Sequence, residues 1–136
     1  MKTYYNHEGY PDPTAGQAVE NVTKSEKRYI PLVYICSPYK GDEENNTRRA
    51  RDFCKFAISK GCLPMAPHLL YPQMLSEDIT GERELGLTFA LILLSKCDEL
   101  WIFGNHISDG MRRERHKAKR KGIPVRYFSE GEVYGK

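Results

Sequence analysis

Asp98–Phe128, DELWIFGNHISDGMRRERHKAKRKGIPVRYF, contains a strand, a helix and a second strand in one continuous stretch. "DELWIFG" (Asp98–Gly104) holds a short apolar run rich in aromatic and branched side chains, the pattern of a buried strand. His106–Gly122 then carries a helix. At roughly 100° per residue, Ile107, Met111 and Ala118 fall within about 40° of one another. They are the only apolar side chains in that segment able to meet a sheet. "IPVRYF" (Ile123–Phe128) is the second strand. A strand, a helix and a strand in succession imply parallel strands joined by a right-handed crossover.

Working outward, the same alternation extends upstream. "IPLVYIC" (Ile30–Cys36) is an apolar strand closed by the loop "SPYKGD". Ala50, Phe53, Cys54 and Ala57 recur at helical spacing and define an amphipathic helix from Glu44 to Lys60. Gly61 stops that helix by accepting the left-handed conformation. "CLPMAPH" (Cys62–His68) is a further strand whose prolines make it irregular or place its far end at an edge. After a long connection comes the helix Arg83–Lys96, apolar nearly all round, with Leu85, Phe89 and Leu93 on one side and Leu87, Leu91 and Leu94 on others. Such a helix needs two partners, the sheet and, in so short a chain, another subunit. Residues 1–29, rich in Tyr, Pro, Gly and Asn, form an irregular N-terminal extension, and 30–136 form one α/β domain with a four-stranded parallel sheet. The C-terminal "SEGEVYGK" could reach a neighbouring subunit, which the sequence itself does not show.

Composition narrows the function classes. Seven of the ten residues Arg112–Lys121 are basic, and the formal charge of +3 comes from them; the rest of the chain holds 14 basic and 17 acidic residues. Basicity is therefore local, as on a nucleic-acid-binding face or on one solvated helix face. No aromatic residues interleave with those bases, which disfavours a single-strand stacking platform. No apolar run reaches the roughly 18 residues of a membrane span, and the N-terminus has no signal-peptide core. Cys36, Cys54, Cys62 and Cys97 show neither CxxC pairing nor ligand spacing, so they are expected as reduced thiols of a cytoplasmic protein. His68, His106 and His116 are too scattered for a metal site, and no cofactor is implied.

In an open parallel sheet, ligands bind beyond the carboxyl ends of the strands where the strand order reverses. With order 2-1-3-4 that crevice lies between the first and third strands, faced by "SPYKGD" and "GNHISDG". Neither GxGxxG nor GxxxxGK[ST] is present, so a dinucleotide fingerprint and a P-loop are unsupported. A phosphatase-like thiolate at Cys36 would want an arginine six positions later, where Asp42 stands; a packed thiol is expected instead.

The single acid in the basic run, Glu114, lies about 40–60° from Ala118 and Met111 on the helical wheel. Arg112, Arg113, Lys119 and Arg120 point the opposite way. Either Ser108 or Asp109 caps the helix start, and Gly110 permits close approach of backbone to a ligand. The positive helix end favours Glu114 as an anion, which suits a nucleophile better than a general acid. The alternative is a structural ion pair with Lys117, Arg83 or another base.

Together, "VYICSPYKGD", "LPMAPH", "CDELWIFG" and "ISDGMRRERHKAKRKGIPV" resemble the nucleoside 2-deoxyribosyltransferase-like superfamily, and more closely its small branch of phage and bacterial proteins of unknown function. The resemblance covers Pro31–Phe128. It implies a flavodoxin-like, Rossmann-like three-layer fold and cleavage or transfer at the N-glycosidic bond of a nucleoside or nucleoside 5′-monophosphate. It places Asp109, Gly110 and Glu114 on the family's helix-opening motif, with Glu114 as nucleophile and Asp109 protonating the leaving base or orienting ribose hydroxyls. Tyr39 matches the aromatic that packs on base or sugar, and Asp98 the acid that begins the third strand. One further acid ahead of that strand is expected among Asp78, Glu82 and Glu84. The substrate-binding set is then Ser37, Pro38, Tyr39, His68, Asn105, Ser108, Gly110 and Met111. A homodimer or higher homo-oligomer is implied as well, since members of that superfamily complete their sites across subunits. The alternative function is a non-catalytic nucleotide sensor on the same scaffold.

Overall fold

The computed structural model describes residues 29–135. The N-terminal extension expected over 1–29 lies, up to residue 28, outside the described residues. The unit beginning at Pro31 carries all the elements named below.

Four parallel strands, β1 (Leu32–Cys36), β2 (Leu63–Met65), β3 (Glu99–Phe103) and β4 (Val125–Phe128), form one sheet in the order β2-β1-β3-β4. Four helices accompany them: α1 (Glu43–Ser59), α2 (Thr80–Ser95), α3 (Asp109–Arg120) and a short α4 (Glu130–Tyr134). The α/β class is that expected from the alternation of elements, and the strand order is the one that accompanies the flavodoxin-like resemblance. The chain crosses from β1 to β2 through α1 and from β2 back past β1 to β3 through α2, which places the order reversal between β1 and β3. Cys36 pairs with Ile102 at the carboxyl end of that junction.

The alternation of β1 sorts its side chains between two cores. Val33 and Ile35 join Phe53, Ala57, Trp101 and Phe103 under α1. Tyr34 and Cys36 join Ala90, Leu94, Leu100, Ile102, Met111 and Ala118 under α2 and α3. The result is three layers, with helices on both faces of the sheet. The start of the β1–β3 pair is tied by Asp98: its Oδ2 accepts from the Leu32 N–H at 2.8 Å, and its own N–H donates to the Leu32 carbonyl at 2.7 Å. That gives Asp98 a structural role at the end of the sheet opposite the crevice.

Two elements differ from the expectations. β2 is only three residues long, and the chain from Pro67 to Leu69 and from Tyr71 to Gln73 forms 3-10 turns. Pro67 and Pro72 start those turns, since proline lacks the N–H a continuing strand would need. The C-terminal residues form α4, which folds back onto its own chain: the Arg49 guanidinium donates to Glu130, and the Tyr134 hydroxyl donates to Asp52 at 2.8 Å. All four cysteines are free thiols. Among the described residues no helix is long and apolar enough to cross a membrane.

Candidate functional site

The cleft at the carboxyl ends of β1 and β3 has a volume of about 650 Å³. Three segments build it. The first is the loop after β1, in which Asn46 of α1 reaches back and donates from its side chain to the carbonyls of Tyr39 at 3.0 Å and Lys40 at 3.3 Å. The second is the connection after β2 with the first turns of α2; Glu82 accepts from the Ser76 N–H at 3.0 Å and so orders that connection. The third is the start of α3. Its cap is Ser108, whose hydroxyl accepts from the Met111 N–H at 3.3 Å. Asp109 does no capping; it is exposed and pairs with Arg112 at 3.0 Å.

Ser37, Pro38, Tyr39, His68, Ser108, Asp109, Gly110, Met111 and Glu114 all line the cleft. Asn105 does not: it is exposed in the turn after Gly104, whose φ is +94°. Of the three upstream acids, Glu82 and Glu84 line the cleft and Asp78 does not. Lys40, Glu77, Arg83 and Arg113 also line it and were missed. Lys40 and Glu77 sit on irregular connections, Arg83 lies in the first turn of α2, and Arg113, which the helical wheel turns away from Glu114, nevertheless reaches the cleft from the start of α3.

One wall of the cleft is aromatic. The Tyr39 and His68 rings stack with centroids 5.3 Å apart and planes 17° apart. Burial holds the His68 imidazole below its usual range, so the ring is neutral at physiological pH. The hydroxyl of Ser37, a residue only 2% exposed, has no hydrogen-bond partner among the described residues. At Gly110, an added Cβ would meet only the Ser108 hydroxyl, at 4.0 Å. The protein's own packing therefore does not require glycine there.

Glu114 is the least expected group in this setting. It is 6% exposed, beside Met111 and Ala118 on the face of α3 that meets the sheet. That is the orientation the helical wheel indicates. Its partners come from β1, not from the basic residues around it. The Tyr34 hydroxyl donates to Oε2, and the Cys36 thiol donates to Oε1 at 3.4 Å. Ion pairs with Lys117 or Arg83 are not formed.

The expected preference for the anion is corrected by this burial. Desolvation pushes the Glu114 carboxyl up from 4.5 to about 7, and the two donors only partly oppose it. Withdrawal from water outweighs the favourable helix end, whose influence falls off within the first turn. Tyr34 is held well above its usual range by burial and by Glu114, so it remains a neutral donor. The same two causes keep Cys36 a thiol. Neither partner was foreseen, although a tyrosine at alternate spacing with a cysteine in an otherwise aliphatic strand is a legible signal that one face of β1 is not wholly apolar.

A buried carboxyl group thus lines a polar and aromatic cleft at the switch point of a parallel sheet, the place where open α/β sheets bind their ligands. The fold is that of the nucleoside deoxyribosyltransferases. A 2-deoxyribosyltransferase from the psychrotolerant bacterium Bacillus psychrosaccharolyticus superposes with a TM-score of 0.57 at 18% identity, over 72% of each chain. Residues 31–128 match the family described as a domain of unknown function (DUF7768), and the chain belongs to that family. None of the curated proteins matches this sequence.

Proposed function

We propose that this protein cleaves or transfers at the N-glycosidic bond of a nucleoside or nucleoside 5′-monophosphate, with Glu114 as nucleophile. The observation that carries this reading is the placement of Glu114: buried, on the cleft, free of any ion pair among the described residues, and held by one donor on each oxygen. The similarity of fold to a 2-deoxyribosyltransferase supports it. The ionised carboxylate attacks the anomeric carbon. The bond to the base breaks with its electron pair going to the base, which takes up a proton from water in the cleft. Water or a second base then opens the glycosyl ester.

Asp109 is exposed and already engaged by Arg112, so it serves better as an acceptor for ribose hydroxyls than as the proton donor. The Tyr39–His68 stack offers a flat wall to the base. Arg113, Lys40 and the first N–H groups of α3 suit a 5′-phosphate at the mouth of the cleft. On α2, Leu85 and Ile92 lie two turns apart and are 42% and 48% exposed. A second copy covering them makes the protein a homo-oligomer, working in the cytoplasm.

The test is base release from a panel of nucleosides and 5′-monophosphates, followed by chromatography. Wild type releases base, and Glu114→Gln and Glu114→Ala lose activity on the order of 1,000-fold or more. Arg113→Ala raises KM for the monophosphate by roughly tenfold and leaves the free nucleoside unaffected. If the wild type turns over nothing in the panel, catalysis is ruled out. Ligand-induced stabilisation without product then identifies a sensor.

A further inference from the structure

We propose that Cys36 is a positioning residue for Glu114, its thiol fixing Oε1 while the Tyr34 hydroxyl fixes Oε2. The proposal rests on the reading of Glu114 as the attacking group. Its basis is the geometry of β1. Residues two apart on a strand share a face, so Tyr34 and Cys36 both point at the helix that carries Glu114, while Val33 and Ile35 point away. Cys36 is fully buried, and its sulfur stands 3.4 Å from Oε1.

An ionised carboxylate is acceptor-only, with about four lone-pair sites on its two oxygens. Two sites are taken from the β1 side, one on each oxygen. A carboxylate gripped at both oxygens cannot turn about its last side-chain bond, so its remaining lone pairs stay on the side facing the cleft. With Tyr34 alone, the group would be pinned at one oxygen and free to swing about it.

The thiol also suits the electronics. A sulfur donor is weak, so it orients the anion while taking little of its basicity away. A serine hydroxyl at the same place would bind the anion more strongly and lower its readiness to attack. An alanine would leave Oε1 without a partner inside the core. Cysteine fills the apolar pocket as a small hydrophobe and still points a hydrogen at the carboxylate.

The test separates this role from catalysis. Glu side-chain carboxyls labelled with carbon-13 are titrated by NMR in the full chain, with the Glu114 resonance assigned by its absence in Glu114→Gln. In Cys36→Ala, Glu114 is expected to titrate about half a pH unit higher than in wild type, because a bond to the charged form is lost. In Cys36→Ser it titrates at or below the wild-type pH. Thermal melts of both variants establish that they are folded. If Cys36→Ala does not fold, the comparison of Cys36→Ser with wild type stands alone, and a serine variant titrating higher than wild type overturns the proposal.

Unchanged titration in both variants also overturns it. Where turnover is found, Cys36→Ala lowers kcat by several fold with KM little changed, and Cys36→Ser recovers most of the loss. A wild type that titrates as expected but releases no base sinks the catalytic reading of Glu114 and leaves the Cys36 contact in place.

Discussion

The two faces of the sheet do different jobs, although the same strands supply both. Beneath α1 lies an aromatic cluster. Phe103 stacks on Phe53 at 4.4 Å with planes 7° apart and on Phe128 at 5.4 Å, while Trp101 meets Phe128 at 4.6 Å. On the other face, under α2 and α3, the core is mostly aliphatic and holds one hydrogen-bonded constellation, Tyr34, Cys36 and Glu114. The first face spends its side chains on packing. The second gives up part of its stability to keep a carboxyl group in apolar surroundings. The strand face with the buried titratable group is the one open to the cleft.

The largest expected effect is the loss of turnover in Glu114→Gln, and it comes with a gain elsewhere. In the unfolded chain Glu114 ionises near 4.5, and in the folded protein near 7. Between those values the unfolded state releases its proton first, so stability falls as pH rises through that window. The stability lost by pH 8 is on the order of 3 kcal/mol. Glu114→Gln removes this dependence. Urea melts at pH 5 and pH 8 are expected to differ markedly less in the variant than in wild type.

Next in size, Phe103→Ala breaks the other face. It is expected to cost about 3–5 kcal/mol by cavity formation while leaving the Glu114 titration where it was. A shift in that titration would show that the two faces are coupled through β3. Smaller again is Tyr34→Phe, which deletes the stronger of the two donors to Glu114. Its effect is to move the acid limb of the kcat–pH profile up by about one pH unit. The sign follows from the bond being made to the ionised form.

At the bottom of the scale, Lys119→Ala and Arg120→Ala on the exposed side of α3 are expected to change stability by less than about 0.5 kcal/mol. They leave base release from an uncharged nucleoside unchanged.

Legibility in the sequence tracked periodicity. The parallel α/β layering followed from the strict alternation of elements, and the inward turn of Glu114 from the spacing of Ile107, Met111 and Ala118; the strand order came with the family resemblance, since alternation alone does not fix it. What stayed hidden was tertiary. A wheel shows which way Glu114 points, but not that Tyr34 and Cys36, some eighty residues earlier, point back at it. Helix-end electrostatics suggested an anion, because burial depth is not visible in local sequence. Lys40 and Glu77 were missed because irregular segments place side chains by packing alone, and Arg83 and Arg113 because a helical wheel does not show which helix rim borders a cleft. The α4 helix was missed because five residues are too few to show a helical period.

The most direct measurement is a structure of the protein with a non-hydrolysable nucleoside analogue bound. The account predicts the anomeric carbon about 3 Å from a carboxylate oxygen of Glu114, the near-attack range, with the base against Tyr39 and His68. A ligand seated in the cleft with its anomeric carbon turned away from Glu114 would contradict it.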